Sequence, residues 1–176
     1  MGKYFITGRQ GSGKTSVIKA LQERGYTAYN TDDMPGVTRL QNKDTGEVVE
    51  WPESGVVDWA KYAWVWQRPE IERLLASDET VFLGAIVFKQ GDFYPLFDKV
   101  FVLTIDAATL RDRLEKHEHE SHHKPGEIER ILSDHELKQQ RLIKEGVETV
   151  DATRPTDEIV DDILQRVGLE KTRHTS

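Results

Sequence analysis

The chain has 176 residues, 37% of them hydrophobic and 31% charged, with a formal net charge of −7. That length is enough for one domain with a sizeable core, and the composition is that of a soluble globular protein. The acidic balance gives no support for a nucleic-acid polymer as partner, and the lack of cysteine excludes a disulfide framework and thiol chemistry. No apolar run approaches the ~20 residues of a membrane span, so no membrane contact is expected. A strand pattern starting at Lys3 leaves no room for a secretory leader, and a cytoplasmic location is the default expectation.

Lys3 to Thr7 is short, β-branched and aromatic, and reads as a strand. Ser16 to Arg24 carries apolar residues at Val17, Ile18 and Leu21, which is helical spacing, and Gly25 stands where a C′ glycine would stop the helix. Tyr26 to Asn30 reads as a second strand ending in Thr31-Asp32-Asp33. Residues 37–50 have the pattern of a hairpin, with its turn at Asn42 to Gly46. Val57 to Ala76 has a helical pattern, with Trp59, Tyr62 and Trp66 at i, i+3 and i+7. Thr80 to Ala85 is a continuous apolar run, as expected of a strand buried on both faces. A short helix or loop follows over Asp92 to Phe97, then a buried strand over Lys99 to Thr104. Asp106 is placed to cap the next helix. After a charged, His-rich break at 117–126 come a helix over Glu127 to Glu145, a strand over Val147 to Val150 and a last helix over Pro155 to Val167.

Strands alternating with helices predict an α/β, three-layer fold: a five-stranded parallel sheet flanked by helices, plus one inserted hairpin. One domain is expected over 1–169, with an acceptor-side insertion at 36–80 and a short lid at 115–127; residues 170–176 read as a frayed tail. Ligands of such sheets bind beyond the carboxyl ends of the strands. That rim collects the loop after the first strand, Asp32, Asp33, Ala85 to Gln90 and Asp106.

Between the first strand and the first helix lies Gly8-Arg9-Gln10-Gly11-Ser12-Gly13-Lys14-Thr15, which fits G-x-x-x-x-G-K-[ST]. This is the phosphate-binding P-loop, in the strand–loop–helix setting that gives the pattern its meaning. Gly8, Gly11 and Gly13 let backbone N–H groups approach phosphate oxygens, and the helix that follows points its positive end at the same anion. Lys14 supplies charge for the outer phosphates, and the Thr15 hydroxyl suits Mg²⁺. Gln10, Ser12 and Ser16 complete the expected donor set. ATP and Mg²⁺ are therefore the expected cofactors.

Asp32 and Asp33 are expected to end the strand beside the P-loop strand. A carboxylate there can hold Mg²⁺ or take a proton from an acceptor hydroxyl. Asp-Asp-Met-Pro-Gly is also turn chemistry, and sequence does not separate the two aspartates, although Asp32 is the preferred metal ligand. No apolar strand ends in Asp in the manner of a motor ATPase, since Val81 to Ala85 runs into Ile86-Val87-Phe88. Asn42-Lys43-Asp44 is not the guanine signature N-K-x-D, because the acid comes one place early.

The P-loop, Asp32-Asp33, the Leu110-Arg111-Asp112-Arg113-Leu114 stretch and Val150-Asp151-Ala152-Thr153-Arg154-Pro155 together resemble the adenylate kinase-like group of P-loop kinases, which includes nucleoside monophosphate, shikimate and dephospho-coenzyme A kinases. The resemblance spans the chain except about 36–60. It implies that Arg113 touches phosphates, that Thr153 and Arg154 flank adenine, and that a lid follows Arg113; a solvated helix face is the alternative for Arg111 and Arg113. The lid departs from that group: between Arg113 and Arg130 there is no arginine, only Lys116, Lys124 and the histidines 117, 119, 122 and 123 among acids. A cationic clamp, a metal site at His119 and His123, and a solvated loop are the alternatives.

All four tryptophans, Trp51, Trp59, Trp64 and Trp66, fall within sixteen residues. They read either as an aromatic wall for an acceptor ring or as the buried face of one helix, the latter being favoured. Arg39, Lys61, Arg68 and Lys89 are candidate anion contacts, and Gln90 and Asp92 are candidate hydroxyl contacts. The expected activity is transfer of the γ-phosphoryl of ATP to a small-molecule acceptor, with a nucleoside or nucleotide leading. A nucleotide hydrolase acting as a switch and a non-catalytic ATP sensor are the rivals. A monomer or homodimer is expected.

Overall fold

A computed structural model describes residues 1–116, 126–144 and 146–169. Five parallel strands form the central sheet: β1 (Lys3–Gly8), β2 (Thr27–Asn30), β6 (Val81–Gly84), β7 (Lys99–Thr104) and β8 (Val147–Asp151), in the order β2-β6-β1-β7-β8. The register runs Lys3 opposite Val81 on one side of β1 and Tyr4 opposite Lys99 on the other. The apolar runs are explained by burial on both faces. Side chains alternate across a strand, so Ile6, Phe82, Phe101 and Leu103 join one core while Phe5, Leu83 and Val100 join the other.

The first core is closed by α1 (Lys14–Glu23), α3 (Ala107–Lys116), α4 (Glu127–Ser133) and α6 (Thr156–Arg166). On α1 the buried residues are Val17, Ile18, Ala20 and Leu21, and Gly25 follows its C-cap at φ 89°. Asp106 caps α3 through its Oδ1, which accepts the Thr109 N–H at 2.7 Å. The second core is covered by α2 (Arg68–Leu75), through Ile71 and Leu74, and by a 3₁₀ segment, Gln90–Leu96, through Phe93. Among the described residues no helix is long and apolar enough to cross a membrane.

Four expectations need correction. The segment expected as one helix over Val57 to Ala76 is a strand, β5 (Tyr62–Trp66), followed by the shorter α2. Tyr-Ala-Trp-Val-Trp is a β-prone run, and Pro69 in the first turn of α2 fixes where helix can begin. Pairing supplies what local periodicity could not: β5 lies antiparallel to β3 (Thr38–Asn42), Leu40 opposite Trp64. The hairpin is thus part of a three-stranded sheet β4-β3-β5, with β4 at Val48–Val49. Second, β2 does not neighbour β1, because β6 lies between them. Third, Glu127 to Glu145 is not one helix: it breaks at Asp134 (φ −119°) into α4 and α5 (His135–Leu142), and position 145 lies outside the described residues. Fourth, Trp59, Tyr62 and Trp66 do not share a buried helix face. Trp66 is 2% exposed, while Trp59 is 50% exposed.

Candidate active site

The loop between β1 and α1 is shaped by close packing. A Cβ on Gly8 would lie 2.5 Å from Ser12 Oγ and 2.9 Å from the Leu103 carbonyl oxygen, so only glycine fits between β7 and the loop. Gly11 and Gly13 sit at φ 84° and 98°, the left-handed region that side chains rarely adopt. Ser12 donates its N–H to Arg9 O at 2.9 Å, which closes the turn. The result is a concave backbone nest at the N-terminus of α1, a site suited to anionic phosphate.

Lys14 folds back over this nest. Its ammonium donates to Gly8 O at 2.7 Å and Arg9 O at 3.3 Å. Its stem is part-exposed but the ammonium is enclosed, and burial pushes its pKa down to about 8, with the Arg9 charge adding and the Asp32 charge opposing. A cavity of about 600 Å³ opens over the loop. It takes in Gln10 to Ser16, Asn30, both aspartates and Arg113, and is lined also by Thr156 and Ile159.

The two aspartates are held differently. Asp33 Oδ2 accepts from Asn30 Nδ2 at 3.0 Å, and the same amide donates to Thr15 Oγ1 at 3.2 Å. Asp32 Oδ2 accepts the Ile86 N–H at 3.3 Å, just beyond the end of β6. Its Oδ1 is buried with no hydrogen-bond partner among the described residues. Burial raises the pKa of Asp32, opposed chiefly by the Lys14 charge and the Ile86 N–H and, more weakly, by the nearby Trp64 indole, which makes no hydrogen bond of full geometry to it. The carboxylate missing from the end of β6 is therefore delivered there from the next strand out. Thr31 fixes its backbone: Thr31 Oγ1 donates to Gly84 O at 3.1 Å and accepts from Trp66 Nε1 at 2.8 Å, while Thr38 Oγ1 donates to Thr31 O at 2.7 Å.

Arg113 reaches the loop but is bound to backbone. Its Nη1 donates to Gly11 O at 3.3 Å and Ser12 O at 3.1 Å, and its Nη2 donates to Ala152 O. It ties the nest to the loop after β8. Thr153 and Arg154 are engaged in that loop's own turn. Thr153 donates twice to Asp151 Oδ1, and Arg154 pairs with Asp162 at 2.7 Å. The donor cavity is walled there by Thr156 and Ile159 instead.

Next to the donor cavity is a larger one, about 970 Å³. Asp32 and Ile86 line both, so the carboxylate stands at the junction. One wall is aromatic. Trp51 meets Trp59 at 6.2 Å and Trp64 at 5.7 Å, both edge to face, with Tyr62 and Phe88 nearby. Cations line it as well: Arg9 from the P-loop, Lys138, Arg141 and Lys144 from α5 and its end, and Lys43 and Lys89 over the Phe88 ring. Gln90 is 5% exposed, and its amide is used up by Thr7, Tyr94 and the Val87 N–H. Of the four expected anion contacts only Lys89 lines this cavity. Arg39 lines a neighbouring cavity of about 410 Å³. Arg68 lies over the Phe93 ring at 4.7 Å, and Lys61 over Tyr62 at 5.3 Å.

Sequence reading missed Arg9 and the α5 cations. Arg9 occupies an unrestricted position of the motif, and α5 faces the cavity only because the chain breaks at Asp134. The histidines at 117, 119, 122 and 123 fall outside the described residues, and so do the lid alternatives that rest on them. Lys116 pairs with Asp112 at 2.8 Å on the surface of α3. Among the described residues no group of His, Asp and Glu forms a metal cluster by itself.

A family model described as an AAA domain matches residues 5–134. A gluconokinase from Sinorhizobium meliloti 1021 superposes with a TM-score of 0.57 at 21% identity, covering 95% of this chain and 91% of that one. Shikimate kinase from Bacteroides thetaiotaomicron gives 0.60 at 13% identity, with 96% and 99% covered. A deoxyadenosine kinase from M. mycoides gives 0.54 at 14% identity, with 94% and 99% covered. These likenesses establish a shared P-loop kinase fold. No curated protein matches the chain.

Proposed function

The chain belongs to the AAA domain family, and from that premise and its two joined cavities we propose that it is a phosphotransferase, moving the γ-phosphoryl of ATP to a small molecule. The observation that carries this reading is the position of Asp32, common to the nucleotide-sized cavity over the P-loop and to the aromatic and basic cavity beside it. A hydrolase needs only water at that point; a walled second cavity of about 970 Å³ is room for a substrate. The gluconokinase, shikimate kinase and deoxyadenosine kinase of like fold are small-molecule kinases by name, which agrees with it.

In this reading the backbone of Gly11 to Thr15 cradles the phosphates. Lys14 releases its two carbonyl partners to meet the outer phosphates, and Gln10, Ser12 and Ser16 border them. The donor set suits Mg²⁺: the Thr15 hydroxyl with Asp32, whose Oδ1 lacks a hydrogen-bond partner, and with Asp33 close by. Bound there, the ion would neutralise charge on the β- and γ-phosphates. Asp32 accepts the proton of the acceptor hydroxyl. The acceptor oxygen bonds to phosphorus, the bond to the bridging oxygen breaks, and ADP leaves. Positioning and charge do most of the work in such transfers, and a placed base adds about 10²- to 10⁴-fold. Arg113 holds the nest in shape through its carbonyls, and Thr153 and Arg154 set the loop at the base-binding end. A nucleoside or nucleotide acceptor leads, and a cytoplasmic monomer or homodimer completes the reading.

The test is labelled-ATP transfer across nucleosides, nucleotides, cyclic hydroxy acids and sugars, with Lys14→Ala as control. Transfer to one class that Lys14→Ala abolishes is the expected result. ATP turnover at the same rate with and without acceptors would replace the reading with a hydrolase. Tight ATP binding with no transfer to any acceptor would replace it with a sensor.

A further inference from the structure

We propose that the acceptor is an anionic hydroxyl compound with an apolar ring face, and that the Arg9 guanidinium is the group that recognises its anion. This deepens the kinase reading and rests on it. Three features of the second cavity converge. At its junction with the donor site stands a carboxylate, Asp32, which welcomes a hydroxyl proton and repels an acceptor phosphate. On one side Trp51, Trp59 and Trp64 offer an aromatic wall broad enough for one ring. The same cavity is lined by Arg9, Lys138, Arg141 and Lys144, a cluster of positive charge available to an anion.

Arg9 is the member of that cluster whose site is built and incomplete. Its side chain is 14% exposed, yet its Nε is buried and unpartnered among the described residues. Its facing groups are Asp134, whose Oδ1 lies at 3.5 Å, together with Arg130 and Lys14. Asp134 is already held by Lys138 at 2.6 Å, and its Oδ1 also lacks a hydrogen bond. A mostly buried guanidinium whose one recorded ion pair is long, at 3.5 Å, and whose counter-ion is shared with Lys138 is the arrangement a better-placed carboxylate or phosphate completes. The backbone of Arg9 shapes the P-loop through its carbonyl, so apart from its long pairing with Asp134 the side chain serves the neighbouring cavity.

A carboxylate and a phosphate ester share this chemistry, and two matched pairs separate them. The probes are shikimate against its methyl ester, and uridine 3′-monophosphate against uridine, titrated by intrinsic tryptophan fluorescence of the full chain. ATP binding is measured by calorimetry in the same samples. The charged member of one pair is expected to bind at least about tenfold tighter than its neutral partner, as expected when a charge-assisted hydrogen bond is made or lost. Arg9→Gln collapses that ratio, and Arg9→Lys restores part of it. The pair that shows the ratio identifies the anion. Equal binding within both pairs, no binding by any of the four, or a ratio that survives Arg9→Gln overturns the proposal. ATP binding that persists in those cases leaves the donor-site reading standing; its loss removes both.

Discussion

Lys14 carries a charge that the fold holds at a cost. Burial lowers its pKa from the ordinary 10.5 to about 8. At about 1.36 kcal/mol per unit, that shift corresponds to ~3 kcal/mol against the charged form. Because the stem is part-exposed, about 1–3 kcal/mol is the range to expect. The sign follows from proton counts. Between about pH 8 and 10.5 the unfolded chain holds the lysine proton and the folded chain does not, so stability rises with pH across that window. Below it the full cost is present. Lys14→Met should therefore make the ligand-free protein more stable at pH 7, by about 1–3 kcal/mol in urea unfolding, while removing ATP binding.

The same shift predicts proton uptake on nucleotide binding. Polyphosphate beside the ammonium restores its pKa to the ordinary range or above, by the attraction of opposite charges. From a pKa of about 8, ATP should then take up about 0.1 proton at pH 7, about half at pH 8 and about 0.9 at pH 9. Affinity should weaken with rising pH, approaching about tenfold per unit above pH 8. Calorimetry in two buffers of different ionisation enthalpy reads the uptake directly. Working above pH 7.5 keeps the terminal phosphate, with its pKa of about 6, out of the count. Uptake that stays flat from pH 7.5 to 9, or Lys14→Met that destabilises the ligand-free chain, would refute the reasoning.

Asp32→Asn should lower kcat by about 10²- to 10⁴-fold and raise the magnesium requirement, whereas Asp33→Asn, beside that ligand, should do both to a smaller extent. Since burial raises the pKa of Asp32, the acid limb of the wild-type pH–rate profile should lie above the ordinary carboxylate range and vanish in Asp32→Asn. Gly8→Ala forces a Cβ against the Leu103 carbonyl. It should cost about 1–3 kcal/mol in denaturant unfolding and weaken ATP binding. Trp66→Phe removes the donor to Thr31 Oγ1. A loss of about 1–2 kcal/mol, with kcat reduced and ATP affinity kept, is the expected outcome.

The donor half of the site was legible because its chemistry is local. A P-loop is one continuous octapeptide between a strand and a helix, and each constraint on it is a backbone constraint that glycine spacing records. The apolar runs at Val81 and Lys99 gave the sheet for a similar reason, since a strand buried on two faces has no polar alternation to confuse with a helix. The acceptor half failed at β5. Trp59, Tyr62 and Trp66 have helical spacing, but β3 and its register, Thr38 opposite Trp66, decide the backbone there. Local periodicity holds no information about a partner strand twenty-odd residues away. The α5 cations were hidden by the break at Asp134, a side-chain-bonded corner inside a long helix-prone stretch.

The order of the sheet ties the two halves together. With β6 next to β1, the carboxylate proposed to work there, Asp32, comes across from beyond β2, and Thr31 is the joint that brings it. That joint also receives the indole of Trp66 from β5. The strand that carries the aromatic wall is therefore bonded to the residue that precedes Asp32, and Asp32 is bonded to the backbone that follows β6. Substrate pressing on Trp64 acts on β5 two residues from the Trp66 anchor. In the proposed kinase, an acceptor filling the wall is expected to bear on the same strand that is bonded to the residue before Asp32. If the proposed transfer is coupled through the buried Trp66–Thr31–Gly84 chain, truncating that chain should raise the ratio of ATP hydrolysis to transfer.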